Sequence, residues 1–208
     1  MGDGKSPSGI ALDTSDPIDD GTLARIGSPT PEPIGLDSSS GTARPTPATM
    51  SDQIVGFARR NRNHHVGDGE CYTLANKALQ SAGAKSASDY GTVTPDADYV
   101  WGTSVTLADL QPGDVVQFRD YKYESVVVTE TSSETKTQEW TEERPHHTAI
   151  VQSVDGNGAV TVWEQNSPEG STVKRTQLFF TSGTTKSGNR TTTIKVEGTF
   201  WFYRPQAR

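Results

Sequence analysis

Long apolar runs are missing from this 208-residue chain. Only 31% of its residues are hydrophobic, and no stretch approaches the ~18 needed for a membrane-spanning helix. The opening MGDGKSPSGIALDTSDP lacks the basic start and apolar centre of a secretory signal peptide. That leaves a cytoplasmic location, or export by another route. Basic residues are too few for a nucleic-acid or anionic-membrane surface: 19 Lys and Arg stand against 26 Asp and Glu, a net charge of −7. A single cysteine excludes an internal disulfide and a cysteine-rich zinc site. Such a residue is either a small buried hydrophobe or a nucleophile, and its surroundings decide which.

Aromatic residues are absent from the first 49 positions, which hold seven of the twelve prolines and carry seven acids against three bases. A segment of that composition cannot bury enough apolar surface to offset its ordering entropy. Residues 1–49 therefore read as a disordered leader, and residues 50–208 as one folded domain. A second acidic stretch lies inside that domain. Residues 120–144 hold seven acids and three bases, and 120–146 reads as an acidic insertion or hairpin with room for a protein partner.

From residue 51 the pattern is globular. Ser51, followed by Asp52 and then Ile54, Val55, Phe57 and Ala58, predicts a short capped helix. Cys71, Leu74, Ala75, Ala78, Leu79 and Ala82 recur at intervals of three and four, an apolar stripe along a second helix that Gly83 ends. Residues 84–105 read as a long loop. Strands follow at 114–119, 125–130, 148–154, 159–164, 175–180, 192–196 and 199–203, with Asp155-Gly156-Asn157-Gly158 as a hairpin turn. Helices first and antiparallel strands afterwards define an α+β domain.

Gly67-Asp68-Gly69-Glu70 delivers Cys71 into the first turn of its helix. Unpaired N–H groups and the positive end of the helix dipole there favour thiolate over thiol. A nucleophilic cysteine also needs an imidazole to take and return a proton. Histidines occur as His64-His65 and His146-His147, the second pair entering an apolar strand. Neighbours on a strand face opposite ways, so only one of His146 and His147 can look into a given site. With an even hairpin loop after Val154, odd residues of the first strand share a face with even residues of the second. That places His147 with Glu164 and Asn166, and His146 on the other side; a three-residue loop with a bulge would reverse the choice. No ligand spacing recommends a metal, and none is expected.

Four segments carry a resemblance. Gly69-Glu70-Cys71-Tyr72-Thr73-Leu74-Ala75 resembles the cysteine motif of CHAP-type amidases in the NlpC/P60 group of papain-like enzymes. Leu110-Gln111-Pro112-Gly113-Asp114-Val115-Val116-Gln117-Phe118 is similar to that group's Pro-Gly-Asp segment. His147-Thr148-Ala149-Ile150-Val151 is similar to its histidine strand, and Val162-Trp163-Glu164-Gln165-Asn166 to its Glu-x-Asn strand. The order is also the family's. The resemblance implies a papain-like fold with N-terminal helices packed on an antiparallel β-sheet. It implies Cys71 as nucleophile, His147 as acid and base, Glu164 as the group that orients the imidazole, and Asn166 in support. Tyr99, Trp101 and Trp163 are then candidates to wall the cleft, and Asp114 serves the scaffold. The activity implied is cleavage of amide bonds in peptidoglycan peptides through a thioester, with no cofactor. Two other readings remain: the same residues acting on another amide or protein, and a non-enzymatic interaction module on the same fold.

Overall fold

The computed structural model describes residues 47–208. The leader reading therefore lies outside the described residues for positions 1–46, while Pro47 to Thr49 lead directly into the first helix. Helix α1 (Met50–Arg60) is capped by Thr49 rather than by Ser51. Thr49 accepts from the Asp52 N–H, and the Asp52 carboxylate accepts from the Thr49 N–H, a reciprocal capping box. Ser51 donates instead to the Pro112 carbonyl. Helix α2 (Cys71–Ser81) buries Leu74, Ala75, Ala78 and Leu79, the stripe expected from its spacing. No helix among the described residues is long and apolar enough to cross a membrane.

The rest is one antiparallel sheet of β1 (Thr103–Val105), β2 (Val115–Glu130), β3 (Thr135–Gly156), β4 (Ala159–Glu164), β5 (Lys174–Phe179), β6 (Gly183–Ser187) and β7 (Arg190–Arg204). The order is β1-β7-β2-β3-β4-β5, with β6 on the outer end of β7. Strand alternation gives the sheet two apolar faces. Val115, Ile150 and Trp163 pack under Ile54, Ala58, Leu74 and Leu79 of the helices. Val116, Phe118, Ala149, Val151, Val160, Val162, Leu178 and Phe202 fill the opposite side. Each fully buried Val, Leu, Ile or Phe side chain among these stabilises the fold by roughly 1.5–3 kcal/mol.

Two expectations change here, and one open alternative is decided. The long loop at 84–105 contains β1, which pairs with the end of β7. The segments 114–119 and 125–130 are one strand, and so are 192–196 and 199–203. Of the two forms expected for residues 120–146, an insertion or a hairpin, the structure shows the hairpin. Here β2 and β3 pair without interruption from Val115↔Ile150 to Glu130↔Thr135, except where Asp120 meets Pro145, and β7 and β6 extend the same sheet. The result is an arm continuous with the core.

A kink marks the root of the arm. Asp120 has φ 51°, and the β2–β7 register shifts between Arg119 and Lys122. Gly198 faces this point with φ 90°, and a Cβ there would lie 2.1 Å from the Asp120 carbonyl oxygen. Only glycine lets the two backbones approach so closely. The kink also resets the alternation, because Phe118 and Tyr121 lie in the same cluster with ring centroids 5.0 Å apart.

The Pro-Gly-Asp segment sets the start of β2. Asp114, 2% exposed, accepts from the Gln111 N–H at 2.8 Å and pairs with Arg204 at 3.0 Å. These bonds hold β2 and β7 in step and place Asp114 in the scaffold.

Candidate functional site

Cys71 is the first residue of α2, whose N-cap Glu70 makes no side-chain cap. The Glu70 carbonyl accepts from the N–H groups of Thr73 and Leu74, while its carboxylate is drawn away to the Asn166 amide at 2.9 Å. Among the described residues, no capping acceptor meets the Cys71 N–H, which stands at the positive end of the helix.

His147 comes from β3. Its Nε2 lies 3.0 Å from Glu164 Oε2, and the Cys71 thiol lies close enough to the same ring to act on its charge. With Nε2 engaged by the carboxylate, Nδ1 is the nitrogen left for the thiol. Thiol, imidazole and carboxylate thus form a row in which His147 is 4% exposed and Glu164 wholly buried. Burial opposes charge on the imidazole. The hydrogen bonds and negative charge of Cys71 and Glu164 outweigh it and push the His147 pKa up to about 9. Glu164 is held well below the usual carboxylate range: its bonds to His147 and the charge of Arg144 overcome the burial that would raise it.

The hairpin explains why His147, not His146, meets Glu164. Asn157 and Gly158, both at positive φ, form a two-residue turn closed by Gly156↔Ala159. Two register shifts follow, and by Ile150↔Trp163 the original parity is restored. His146 faces the helix side, where its Nε2 lies 2.8 Å from the Ala97 carbonyl oxygen and its ring 5.5 Å from Tyr99.

Asn166 does not join the row. Strand β4 ends at Glu164, and Asn166 turns away at φ 63° to bond Glu70 and to accept from the Gly170 N–H at 2.7 Å. It braces the loop beside the cysteine instead of the imidazole. Trp101 and Trp163 do not wall a cleft either. Trp101 is wholly buried and donates to Gln117 at 3.2 Å, and Trp163 is 3% exposed in the core under the helices. Tyr99 lies near Cys71 but is packed against Tyr72 and Trp101, with its hydroxyl donated to the Thr94 carbonyl. The space open beside the N-terminus of α2 is a cavity of about 290 Å³ lined by His65, Asp68, Glu70 and Asn166. A larger cavity of about 540 Å³ lies by Ser104, Asp109 and Arg204 and includes none of the row.

Two further residues escape a reading of the sequence. Gln165 is wholly buried and bonds the loop before Cys71. Arg144, with a side chain 2% exposed, grips both oxygens of Glu164 at 2.9 and 2.8 Å. Gln165 had a signal, an uncharged polar residue between two motif positions. Arg144 had none, since it sits at the end of an acidic run. No cluster of three or more His, Cys, Asp or Glu among the described residues could hold a metal ion.

A cysteine at a helix N-terminus, facing an imidazole and a carboxylate on an antiparallel sheet, is the layout of the cysteine-proteinase fold. A family model, described as the AIM3/BBC1 cysteine proteinase-fold domain, matches residues 44–207. The chain belongs to that family. No match is found among curated proteins or among solved structures.

Proposed function

We propose that this domain is a cysteine amidohydrolase of the CHAP type, acting on peptide amide bonds, with peptidoglycan peptides the form suggested by its motif order. The observation that carries this reading is the row itself: a buried His147 is hydrogen-bonded to Glu164 through Nε2, and the half-buried Cys71 thiol lies beside the same ring. The thiol proton passes to Nδ1 of His147, and the sulfur attacks the acyl carbon. The Cys71 N–H stabilises the oxyanion that forms. The imidazolium then protonates the leaving amine, giving a thioester. Water, deprotonated by His147, opens the thioester and returns the thiol. Glu164 accepts from Nε2 throughout and keeps Nδ1 turned to the sulfur.

The arm favours a second reading, a binding module. Strand β3 pairs with β4 only from Ile150 onward, so among the described residues its outer edge from 135 to 149 is not paired with another strand. That edge carries the exposed Glu139 and Glu143. Incubation with purified sacculi and with unfolded protein, followed by assay of released amines, separates the two. Turnover by the wild type and none by Cys71→Ala supports the hydrolase. No turnover of either substrate by a protein whose Cys71 still alkylates readily favours the binding module.

A further inference from the structure

Among the described residues, Arg144 is the one buried Lys or Arg. Its Nε and Nη2 donate to both oxygens of Glu164, and its Nη1 donates to Glu142 at 3.0 Å and to the Glu143 carbonyl at 2.7 Å. Plain alternation would set Arg144 and His147, three residues apart, on opposite faces. The kink at Asp120, opposite Pro145, removes one step of that alternation, and both side chains reach Glu164.

We propose that Arg144 is a positioning residue: its guanidinium keeps Glu164 an ionised acceptor aimed at His147 Nε2, so that Nδ1 is free to take the thiol proton. The proposal rests on Cys71 being the nucleophile. A buried carboxylate without a counter-charge tends to take up a proton. A protonated Glu164 would donate to Nε2, which puts the ring proton on Nδ1, where it blocks transfer from sulfur. The fork geometry of arginine suits this task, since two parallel bonds fix the carboxylate plane as well as its charge. Among the described residues, the ionisable groups near Glu164 are His147 and Arg144 from β3 and the phenols of Tyr121 and Tyr123 from β2, with Cys71 of α2 behind His147 and Glu142 behind Arg144. Arg144 is the only one of these that carries a permanent positive charge.

The test is the rate of Cys71 alkylation by iodoacetamide between pH 5 and 9, in the full chain. It compares wild type, His147→Ala, Arg144→Lys, Arg144→Met, Glu164→Gln and the Arg144→Met/Glu164→Gln double variant, with folding checked by near-ultraviolet circular dichroism. Arg144→Met is expected to slow alkylation more than ten-fold at pH 6 and to move its acid limb upward by a pH unit or more. Arg144→Lys should fall between it and the wild type, which keeps the test open if Arg144→Met does not fold. The double variant should be within two-fold of Glu164→Gln alone, because Arg144 acts through that carboxylate. An unchanged rate and pH profile in folded Arg144 variants, or effects that multiply in the double variant, would overturn the proposal and leave Arg144 as an anchor of the arm. Slowing in His147→Ala but not in the Arg144 variants defeats this proposal alone. Wild-type alkylation in His147→Ala defeats the nucleophile reading beneath it.

Discussion

Gln165 holds Val66 by both of its backbone polar groups. The side-chain oxygen accepts from the Val66 N–H at 2.9 Å, and the amide donates to the Val66 carbonyl at 3.1 Å. A third bond runs to the Glu70 carbonyl at 2.7 Å. A buried side chain thus serves as one rung of a β-ladder for the loop that delivers Cys71.

That clamp predicts a loss when it is removed. Gln165→Leu leaves the Val66 N–H without a partner, at a cost of about 1–3 kcal/mol, while the Val66 carbonyl keeps its bond from the Gly69 N–H at 3.2 Å. Its unfolding midpoint in urea should drop, and Cys71 should alkylate more slowly because the start of α2 is no longer fixed. An unchanged midpoint would show that the loop is held elsewhere.

The two adjacent histidines should behave differently. His147→Ala is expected to abolish amide turnover, and His146→Ala to retain it within a few-fold, since His146 faces the Ala97 and Tyr99 side. The acylation rate of an active-site-directed peptide probe measures this. Loss in His146→Ala with retention in His147→Ala would reassign the base.

Stability should fall off on both sides of a plateau near pH 5–6.5. The folded His147 pKa, about 9, lies above its ordinary 6.5. Its contribution is therefore complete below about pH 6.5 and lost as the pH rises through 9. Glu164 is depressed, so its contribution is complete above the ordinary 4.5 and lost on acidification below it. Thermal melts of His147→Gln should show a shallower alkaline decline than the wild type, and equal slopes would contradict the assignment.

Much of this was readable from residue order. The α2 stripe, the Pro-Gly-Asp turn and the shared face of His147 and Glu164 depend on local periodicity. Asn166 was misread because a strand pattern does not announce where pairing stops, and the chain turns at φ 63° two residues after β4 ends. Trp101 and Trp163 were misread because composition cannot tell a core indole from an exposed one. The arm is legible as a possible hairpin but not in its extent, because its β3 half, TKTQEWTEER, has a single apolar residue, Trp140, and so no strand periodicity. Its β2 half did alternate, with Tyr121, Tyr123, Ser125 and Val127 buried.

Trp101 should matter to the fold rather than to substrate affinity. Gln117, wholly buried, accepts from both the Trp101 indole and the Thr148 hydroxyl, at 3.2 and 2.8 Å. Gln117→Leu strands two buried donors and should cost about 2–5 kcal/mol in denaturant titration. Trp101→Phe should lower the melting temperature while leaving KM within two-fold, and a raised KM at unchanged stability would return Trp101 to the cleft.

Gly198→Ala should be among the most damaging changes for its size. The new methyl would meet the Asp120 carbonyl oxygen at 2.1 Å, at a φ that alanine disfavours. A cost of about 2–4 kcal/mol is expected. Gly188→Ala, also at positive φ but with nothing within 4 Å, should cost less. Equal costs would argue against a tight crossing at the root of the arm.

The kink at Asp120 and Pro145 also sets rules for how this sequence can change in length. Between Arg144 and His147 the count of residues decides which side chains face Glu164, so one deletion there would turn Arg144 towards the helices. Beyond the kink, removing the same even number of residues from each of the paired strands keeps every remaining side chain on its own face. The arm can therefore change its reach without disturbing the row at its root, provided that its strands lengthen or shorten together and by twos.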